Sequence, residues 1–522
     1  VNPIDIPALN AWLASQGCAG RIAVKQVVIE DDPFPALQEF LKVSRAVDRP
    51  VLVVMDHTAM RRGDADAKRQ FLSLLNGACR PEVIQLGTPA EPPHADLRIA
   101  EELAVRLPPG CLLISFGSGT VTDLAKHACF LADQRQAEAD RRCGGEAKER
   151  AGGAADGRIA DAQEGRGAGA GEGRGRGAME VRAVGAGESR PAGGRPFICV
   201  PTACTVTAFS SALAVLGVAG VKRTIPSRSP DATWVDLNVL ADAPPDLTRA
   251  GVGDLLARGV AYADWYLSGL LGIDESYTDV PRMLLADHEA RLPEIAAAVG
   301  QGERGAYRSL MEALLLAGYG MSVVGATTPI SGWEHVMSHY LDLCNGALGR
   351  PLNLHGLQVA AGSFVATRAY NSLLRNVTAA ELSAAADVDL GVLAKSQIAE
   401  HFAAIDPSGR IRAELLRDYL PKAERWRAAA GRLRDLAAEW PSGQVGSELS
   451  SRLMPLERMN AIAAALGLPQ SPTALESLPS TTAAVDAVRF SHLVRRRFTL
   501  GDLLSALGWL EPGRVARWLE AD

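Results

Sequence analysis

Three short apolar runs near the start of the chain, each closed by a polar loop, limit its fold more than any other feature. Val51-Leu-Val-Val-Met55 is continuous, rich in β-branched residues and ends at Asp56-His57-Thr58. A run of this kind reads as a strand buried on both faces of a parallel sheet, with a polar loop at its carboxyl end. Lys68 to Leu75 has the helical period, and Glu82 to Leu86 reads as a second strand. Ala95 to Leu107 reads as a helix that stops before Pro108-Pro109, and Cys111 to Phe116 as a third strand. This alternation predicts an α/β, Rossmann-like doubly wound sheet.

The loop after the third strand, Phe116-Gly117-Ser118-Gly119-Thr120-Val121-Thr122-Asp123, opens a helix predicted over Leu124 to Ala132. Two readings of it stand. Glycines let backbone amides approach a pyrophosphate at a helix N-terminus. Equally, the segment is a tight strand-to-helix turn capped by Thr120 or Thr122. The third glycine of the usual dinucleotide fingerprint is absent, because Thr122 stands there. Asp56 is either a partner for an adenosine ribose or a cap. From about 134 to 195 the pattern dissolves: no aromatic residue lies between Phe130 and Phe197, and Gly, Ala, Arg and Glu dominate. Such a stretch buries too little apolar surface to offset its ordering entropy, so a disordered insertion is expected. Strands resume at Pro196 to Ala203, Leu213 to Gly217, Val221 to Ile225 and Ala232 to Leu237, with the hydroxyl-rich turn Thr205, Thr207, Ser210, Ser211 between the first two.

Beyond residue 244 the helical period takes over, at Ala250 to Leu271, Val280 to Val299, Ser309 to Val324, Trp333 to Leu343, Leu357 to Leu373 and again from Ala413 onward. A nucleotide-binding α/β unit over 1–244 and an all-α unit over 245–522 are therefore expected, with ligands between them. The basic cluster Arg495-Arg-Arg497 reads as a solvated helix end. In Ser331-Gly-Trp-Glu-His-Val-Met-Ser-His339, His335 and His339 lie four apart and share one helix face. His355-Gly356 follows, and Asp254 closes a Gly-Val-Gly-Asp turn upstream. One carboxylate and two or three imidazoles suit a divalent first-row ion, zinc most simply.

Composition narrows the classes further. With 54 basic against 60 acidic side chains the net charge is −6, which gives no basic field for nucleic acid. The eight cysteines are scattered and form no Cys-x-x-Cys pair, which suits free thiols in a reducing compartment. Val1 to Gln16 lacks the pattern of a signal peptide, and no apolar run is long enough to span a bilayer. A cytoplasmic chain is expected.

Seven motifs occur in order: Gly117-Ser-Gly-Thr-Val-Thr-Asp123, Pro201-Thr-Ala203, Gly220-Val-Lys-Arg-Thr224, Asp236 to Pro244, Gly251-Val-Gly-Asp-Leu-Leu-Ala257, Ser331-Gly-Trp-Glu-His335 and His355-Gly356. The series resembles the glycerol-1-phosphate dehydrogenases, within the superfamily of iron-containing alcohol dehydrogenases and dehydroquinate synthases. The resemblance implies a dehydroquinate synthase-like fold and a homodimer. It implies NAD(P)H-dependent reduction of dihydroxyacetone phosphate, or a similar phosphorylated or polar ketone, to sn-glycerol 1-phosphate or the matching alcohol. Asp254, His335 and His355 would hold one divalent metal, zinc first, with nickel or iron as alternatives. Gly117, Ser118, Gly119, Asp123, Thr202 and Thr205 would lie along NAD or NADP, Lys222 near the nicotinamide and substrate, and His339 would relay a proton, since imidazole titrates near working pH. Thr207, Arg258 and Asp254 would face the substrate. Three departures stand out. Thr207 occupies the place of an aspartate that meets the substrate hydroxyl, Arg258 that of a lysine, and Trp333 that of a small residue beside the ligand loop, where it would narrow the pocket. A cyclase or lyase like dehydroquinate synthase, with NAD recycled internally, is one alternative, although that branch usually has glutamate where Asp254 stands. A non-catalytic relative is the other, but it would have no need of a complete ligand set.

Overall fold

The computed structural model describes residues 2, 4–44, 48–152, 194–218 and 221–520. In chain order the first half holds α1 (Ile6–Ser15), β1 (Gln26–Glu30), α2 (Phe34–Val43), β2 (Val51–Asp56), β3 (Arg61–Arg62), β4 (Ala65–Asp66), α3 (Ala67–Asn76), β5 (Glu82–Leu86), α4 (Leu97–Val105) and β6 (Leu112–Gly117). It continues with α5 (Gly119–Gly152), β7 (Phe197–Pro201), β8 (Leu213–Val218), β9 (Val221–Pro226) and β10 (Ala232–Asp236). Six of these strands form one parallel sheet, ordered β1-β10-β7-β6-β2-β5. From β2 the chain moves outward to β5, then returns to β6 on the other side of β2. That reversal is a topological switch point, beside which ligands of doubly wound sheets bind.

Period-2 burial explains the layers. In β2, Val51, Val53 and Met55 pack with Leu112, Ile114 and Phe116 of β6 against Phe34, Leu37 and Leu41 of α2 and Phe71 and Leu75 of α3. The intervening Leu52, Val54 and Leu113 face the other way, onto Ala100 and Leu103 of α4 and Val121, Leu124 and Ala128 of α5. Both faces are thus covered, which is why the central strands are apolar throughout. The edge strand β5 alternates instead and leaves Val83 exposed.

Then follow α6 (Leu237–Ala241), α7 (Pro245–Leu256), α8 (Arg258–Leu270), α9 (Val280–Ala290), α10 (Leu292–Gly300), α11 (Arg304–Val324), α12 (Trp333–Ala347), α13 (His355–Asn376) and further helices to Leu519. Among the described residues no strand follows β10. The α/β sheet followed by an all-α region is therefore as expected, but one apolar cluster joins the sheet face to α7, α10 and α11, so the two halves share a core. No helix among the described residues is long and apolar enough to cross a membrane.

Several local expectations fail for physical reasons. The predicted helix Ala250 to Leu271 is two helices that meet at Ala257, and Val280 to Val299 is two that meet at Arg291. Periodicity alone does not show such bends. The helix after β6 begins at Gly119 and runs to Gly152, well past Ala132 and into the stretch expected to be disordered. The rest of that expected insertion, 153–193, lies outside the described residues. Arg495 is extended, between a short 3-10 turn, Ser491–Val494, and the helix Leu500–Ala506, so the basic cluster is not a helix end.

One contact sets up the site. A Cβ on Gly356 would lie 1.7 Å from Ala250 O, and one on Gly253 would lie 2.2 Å from Gly356 O. α7 and α13 thus cross with their backbones touching, which only glycine at these positions permits.

Candidate active site

That crossing brings Asp254, near the end of α7, beside His355, the first residue of α13. α12 starts at Trp333 and carries His335 in its first turn and His339 one turn later. The ligand atoms of Asp254, His335 and His355 all lie within 4.8 Å of one another. His335 Nε2 is 3.3 Å and His355 Nε2 3.8 Å from Asp254 Oδ1. Asp254 Oδ1 is nevertheless buried without a hydrogen-bond partner. Two ligands about 2.1 Å from a shared tetrahedral ion stand roughly 3.4 Å apart. The spacing is that of donors around an ion, and the set fits a divalent metal.

The far side of each ring is fixed. His335 Nδ1 is 2.9 Å from Glu334 Oε1, so it donates there and Nε2 keeps the free lone pair. Glu334 is fully buried and also accepts from Gly332 N at 2.6 Å. His355 Nδ1 is 2.9 Å from Ser338 Oγ, which itself donates to Gln358 Oε1 at 2.6 Å. His355 therefore donates from Nδ1, and its Nε2 is also free. Gln358 Nε2 then donates to Asp342 Oδ1 at 3.1 Å, and Lys222 Nζ to Asp342 Oδ2 at 2.6 Å. Lys222 ends a hydrogen-bond chain that starts on a candidate ligand. Glu334, Ser338, Gln358 and Asp342 were not anticipated as site residues, although Glu334 sits inside the motif and a neighbouring carboxylate is the usual partner of a ligating histidine.

Burial opposes a charge on His335, but the neighbouring carboxylates of Asp254 and Glu334 outweigh it and raise its pKa. His355 is pushed down to about 3 by burial and then by the charges of His335 and Lys222. His339 is held well below the usual histidine range by burial, then by Arg495, His355, Lys222 and His335. The expectation that it titrates near working pH is not met. It is a neutral imidazole whose buried Nδ1 has no partner.

These groups line a cleft of about 170 Å³ together with Gly119, Thr120 and Asp123 of α5, Thr207, and Lys222 of β9. The first amides of α5 have no partner within the helix. Thr202 and Thr205 are buried with unpartnered Oγ1 atoms, and Thr205 Oγ1 lies 3.7 Å from where a Cβ on Gly119 would be. Neither threonine lines the cleft, whereas Gly119 and Thr120 do, and open amides at a helix N-terminus fit a phosphate of a dinucleotide. Gly119 also has a packing role, because its Cβ would meet Val206 Cγ2 at 2.3 Å. Gly117 ends β6, Ser118 joins it to α5, and neither lines the cleft; Gly117 O accepts from Thr202 N at 3.1 Å. Asp123 faces the cleft but is paired with the fully buried Lys126 at 2.7 Å. Lys126 also donates to Ala208 O, Ser211 O and Leu213 O at 3.0, 3.2 and 2.6 Å, so the pair shapes the loop that carries Thr207.

Three expected site residues stand elsewhere. Asp56 does not line the cleft: its carboxylate accepts from Lys68 Nζ at 2.8 Å, Thr58 N at 3.1 Å and Thr58 Oγ1 at 2.8 Å, which closes its own loop. Arg258 is buried away from the cleft lining, 3.6 Å from Glu289 and 4.4 Å over the Tyr262 ring. Trp333 does not narrow the cleft. It is fully buried, donates to Ser491 Oγ at 3.0 Å and packs against Gly501.

No protein-family model matches the chain. The glycerol-1-phosphate dehydrogenase (NAD(P)+) of Bacillus velezensis is 36% identical over 189 residues, which are 36% of this chain and 48% of that protein. The enzyme of the same name from Bacillus subtilis is 33% identical over 181 residues, 35% of this chain and 46% of the relative. The chain spans about half the length of the curated relatives it matches. Among solved structures, the sulfoacetaldehyde reductase of Bifidobacterium kashiwanohense in complex with NAD+ aligns with a TM-score of 0.50 at 14% identity, over 97% of this chain and 99% of that one. The chain is thus related in sequence to glycerol-1-phosphate dehydrogenases across about half their length, and it shares the fold of that reductase.

Proposed function

We propose that this chain is a metal-dependent NAD(P)H oxidoreductase that reduces dihydroxyacetone phosphate, or a phosphorylated or polar ketone like it, to sn-glycerol 1-phosphate or the matching alcohol. The observation that carries the reading is the convergence of Asp254, His335 and His355 in the same cleft as the open N-terminus of α5. A divalent ion, zinc first and nickel or iron otherwise, would supply Lewis acidity towards a carbonyl oxygen. NAD or NADP would supply the hydride, with its phosphates at Gly119 and Thr120.

The protein's own groups do the rest. Glu334 and Ser338 keep Nε2 of both histidines turned inward. Thr207 offers a neutral hydroxyl where relatives carry a carboxylate, so it orients a substrate hydroxyl without a charge. Lys222, tied to Asp342, adds a positive edge to the cleft. His339 offers Nδ1 to a substrate hydroxyl; being neutral, it passes a proton from one nitrogen only by taking one on the other.

The test is oxidation of NADH and of NADPH with dihydroxyacetone phosphate, using metal-stripped chain with zinc, nickel or iron added back. Oxidation that returns with metal and prefers one cofactor is the expected outcome. Turnover that survives full removal of metal would reject the ligand assignment.

A further inference from the structure

Asp342 lies on α12 one helical turn beyond Ser338, is 8% exposed, and its two oxygens serve different elements. Oδ2 accepts from Lys222 Nζ of β9 at 2.6 Å, and Oδ1 from Gln358 Nε2 in the first turn of α13 at 3.1 Å. The ion pair with Lys222 is not what keeps β9 in place. The β8–β9 hairpin is fastened separately, by Gly217 N donating to Ala95 O at 2.7 Å and by Arg223. Arg223 pairs with Glu414 at 2.6 Å and with Asp418 at 2.8 Å, both on the helix Arg410–Ala428. Neighbours on a strand face opposite ways, so Arg223 holds the hairpin from one side while Lys222 lines the cleft on the other.

The direction of the hydrogen bonds beyond Asp342 is then fixed. A carboxylate paired with a lysine only accepts, so Gln358 turns its amide NH2 to Asp342 and its oxygen to Ser338. Ser338 Oγ is 2.6 Å from that oxygen and gives its single hydrogen there. It has only a lone pair left for His355 Nδ1, 2.9 Å away, so the ring proton stays on Nδ1. The lone pair of Nε2 is thereby left open towards Asp254 Oδ1, 3.8 Å away. Ser338 and Gln358 are closed to solvent, so no bulk water competes for either bond.

We propose that Asp342 is a positioning residue. From three hydrogen bonds away it sets which nitrogen of His355 carries the proton, and it ties that choice to Lys222 on the cleft wall. That Nε2 then meets a metal rests on the oxidoreductase reading; the direction of the hydrogen bonds does not.

Two measurements on the whole chain test this. One is the nitrogen NMR pattern of the imidazoles in metal-free protein, with His355→Gln to identify the ring. The other is zinc affinity by competition with a chromophoric chelator. Asp342→Asn puts one oxygen and one NH2 where two oxygens stood. The charged lysine is the stronger donor and takes the oxygen, so the NH2 meets Gln358, whose amide turns over. Ser338 then donates to His355 Nδ1 and the ring proton moves to Nε2. The expected result is an Nε2–H pattern and zinc affinity lower by ~10- to 100-fold. Lys222→Met alone leaves Gln358 its acceptor, and should keep the Nδ1–H pattern and not weaken zinc. Asp342→Asn combined with Lys222→Met frees the new amide oxygen for Gln358, and should return both readouts towards the wild type. A double variant as impaired as Asp342→Asn would reduce the effect to local damage, and a His355 ring that keeps its proton on Nδ1 in Asp342→Asn would remove the role; either overturns the proposal. Should circular dichroism show that Asp342→Asn does not fold, Gln358→Met cuts the same chain without touching the ion pair. It should let the proton reach Nε2, and an unchanged Nδ1–H pattern there overturns the proposal as well. A ring pattern that follows Asp342 in a wild type that binds no zinc keeps the positioning role and rejects the metal reading alone.

Discussion

Glu334 has the most consequence per atom of any residue near the ligands. Its Oε1 holds both His335 Nδ1 and Gly332 N, so removing it frees the ring and the turn that begins α12. Glu334→Ala should lower metal affinity by roughly 10- to 100-fold, and Glu334→Gln, which keeps an acceptor, by less. Competition with a chromophoric chelator would measure both; equal affinity in Glu334→Ala would mean that His335 is oriented by packing alone. At this scale the candidate ligands were legible because His335 and His355 sit in short local motifs and Asp254 closes a glycine turn. Their supports were not. The link from His355 through Ser338, Gln358 and Asp342 to Lys222 joins three elements, and no spacing in the text shows that they meet. The charge of Arg258 could be read from the sequence, but its partner, Glu289, depends on tertiary placement. Asp56 illustrates the same limit, since a carboxylate at a strand end reads alike whether it meets a ribose or Lys68.

Among the elements, strands were the easiest to foresee. β2, β5, β6, β7, β8, β9 and β10 fall within two residues of their expected bounds, because buried β-branched runs have few other uses. β1, Gln26-Val-Val-Ile-Glu30, was missed; it is an edge strand of mixed burial. Helix breaks at Ala257 and Arg291 were invisible because the apolar period continues through them. The α7–α13 crossing is the element on which the site depends most. Gly356→Ala would place a methyl against the carbonyl of Ala250, a backbone obstacle that cannot rotate aside. The helices must then part, at a cost on the order of 1–3 kcal/mol, and Asp254 and His355 move apart with them. Both a lower urea midpoint and weaker metal binding are expected. A variant that loses stability but binds metal normally would show that the crossing is not what sets the ligand spacing.

For the molecule as a whole, acid tolerance has a readable limit in the shared core. His127 on α5 is 4% exposed, stacks on Phe130 with centroids 5.7 Å apart, and its Nδ1 has no partner. Burial, then the charge of Lys126, lowers its pKa to about 4. Because the unfolded chain binds this proton near pH 6.5 and the folded chain only near 4, stability is intact above 6.5 and is lost as pH falls towards 4. The loss between pH 7 and pH 5 is on the order of 2 kcal/mol, and His127→Phe should remove it. Urea unfolding of both proteins at the two pH values measures the difference; parallel curves would locate the acid sensitivity elsewhere.

The long reach of the C-terminal segment has a consequence for how the protein is made. Asp264, which accepts from Trp333 N at the start of α12, also accepts from Leu500 N, and Arg497 grips Ser331. A ribosome that has just released His355 has delivered all three candidate ligands, yet it still holds back the residues that fasten the loop ahead of them. During vectorial synthesis the first half can close its sheet early, whereas the rim of the cleft waits until residue 500 has emerged. Any ion that these residues take up would therefore meet a finished site only late in the life of the nascent chain.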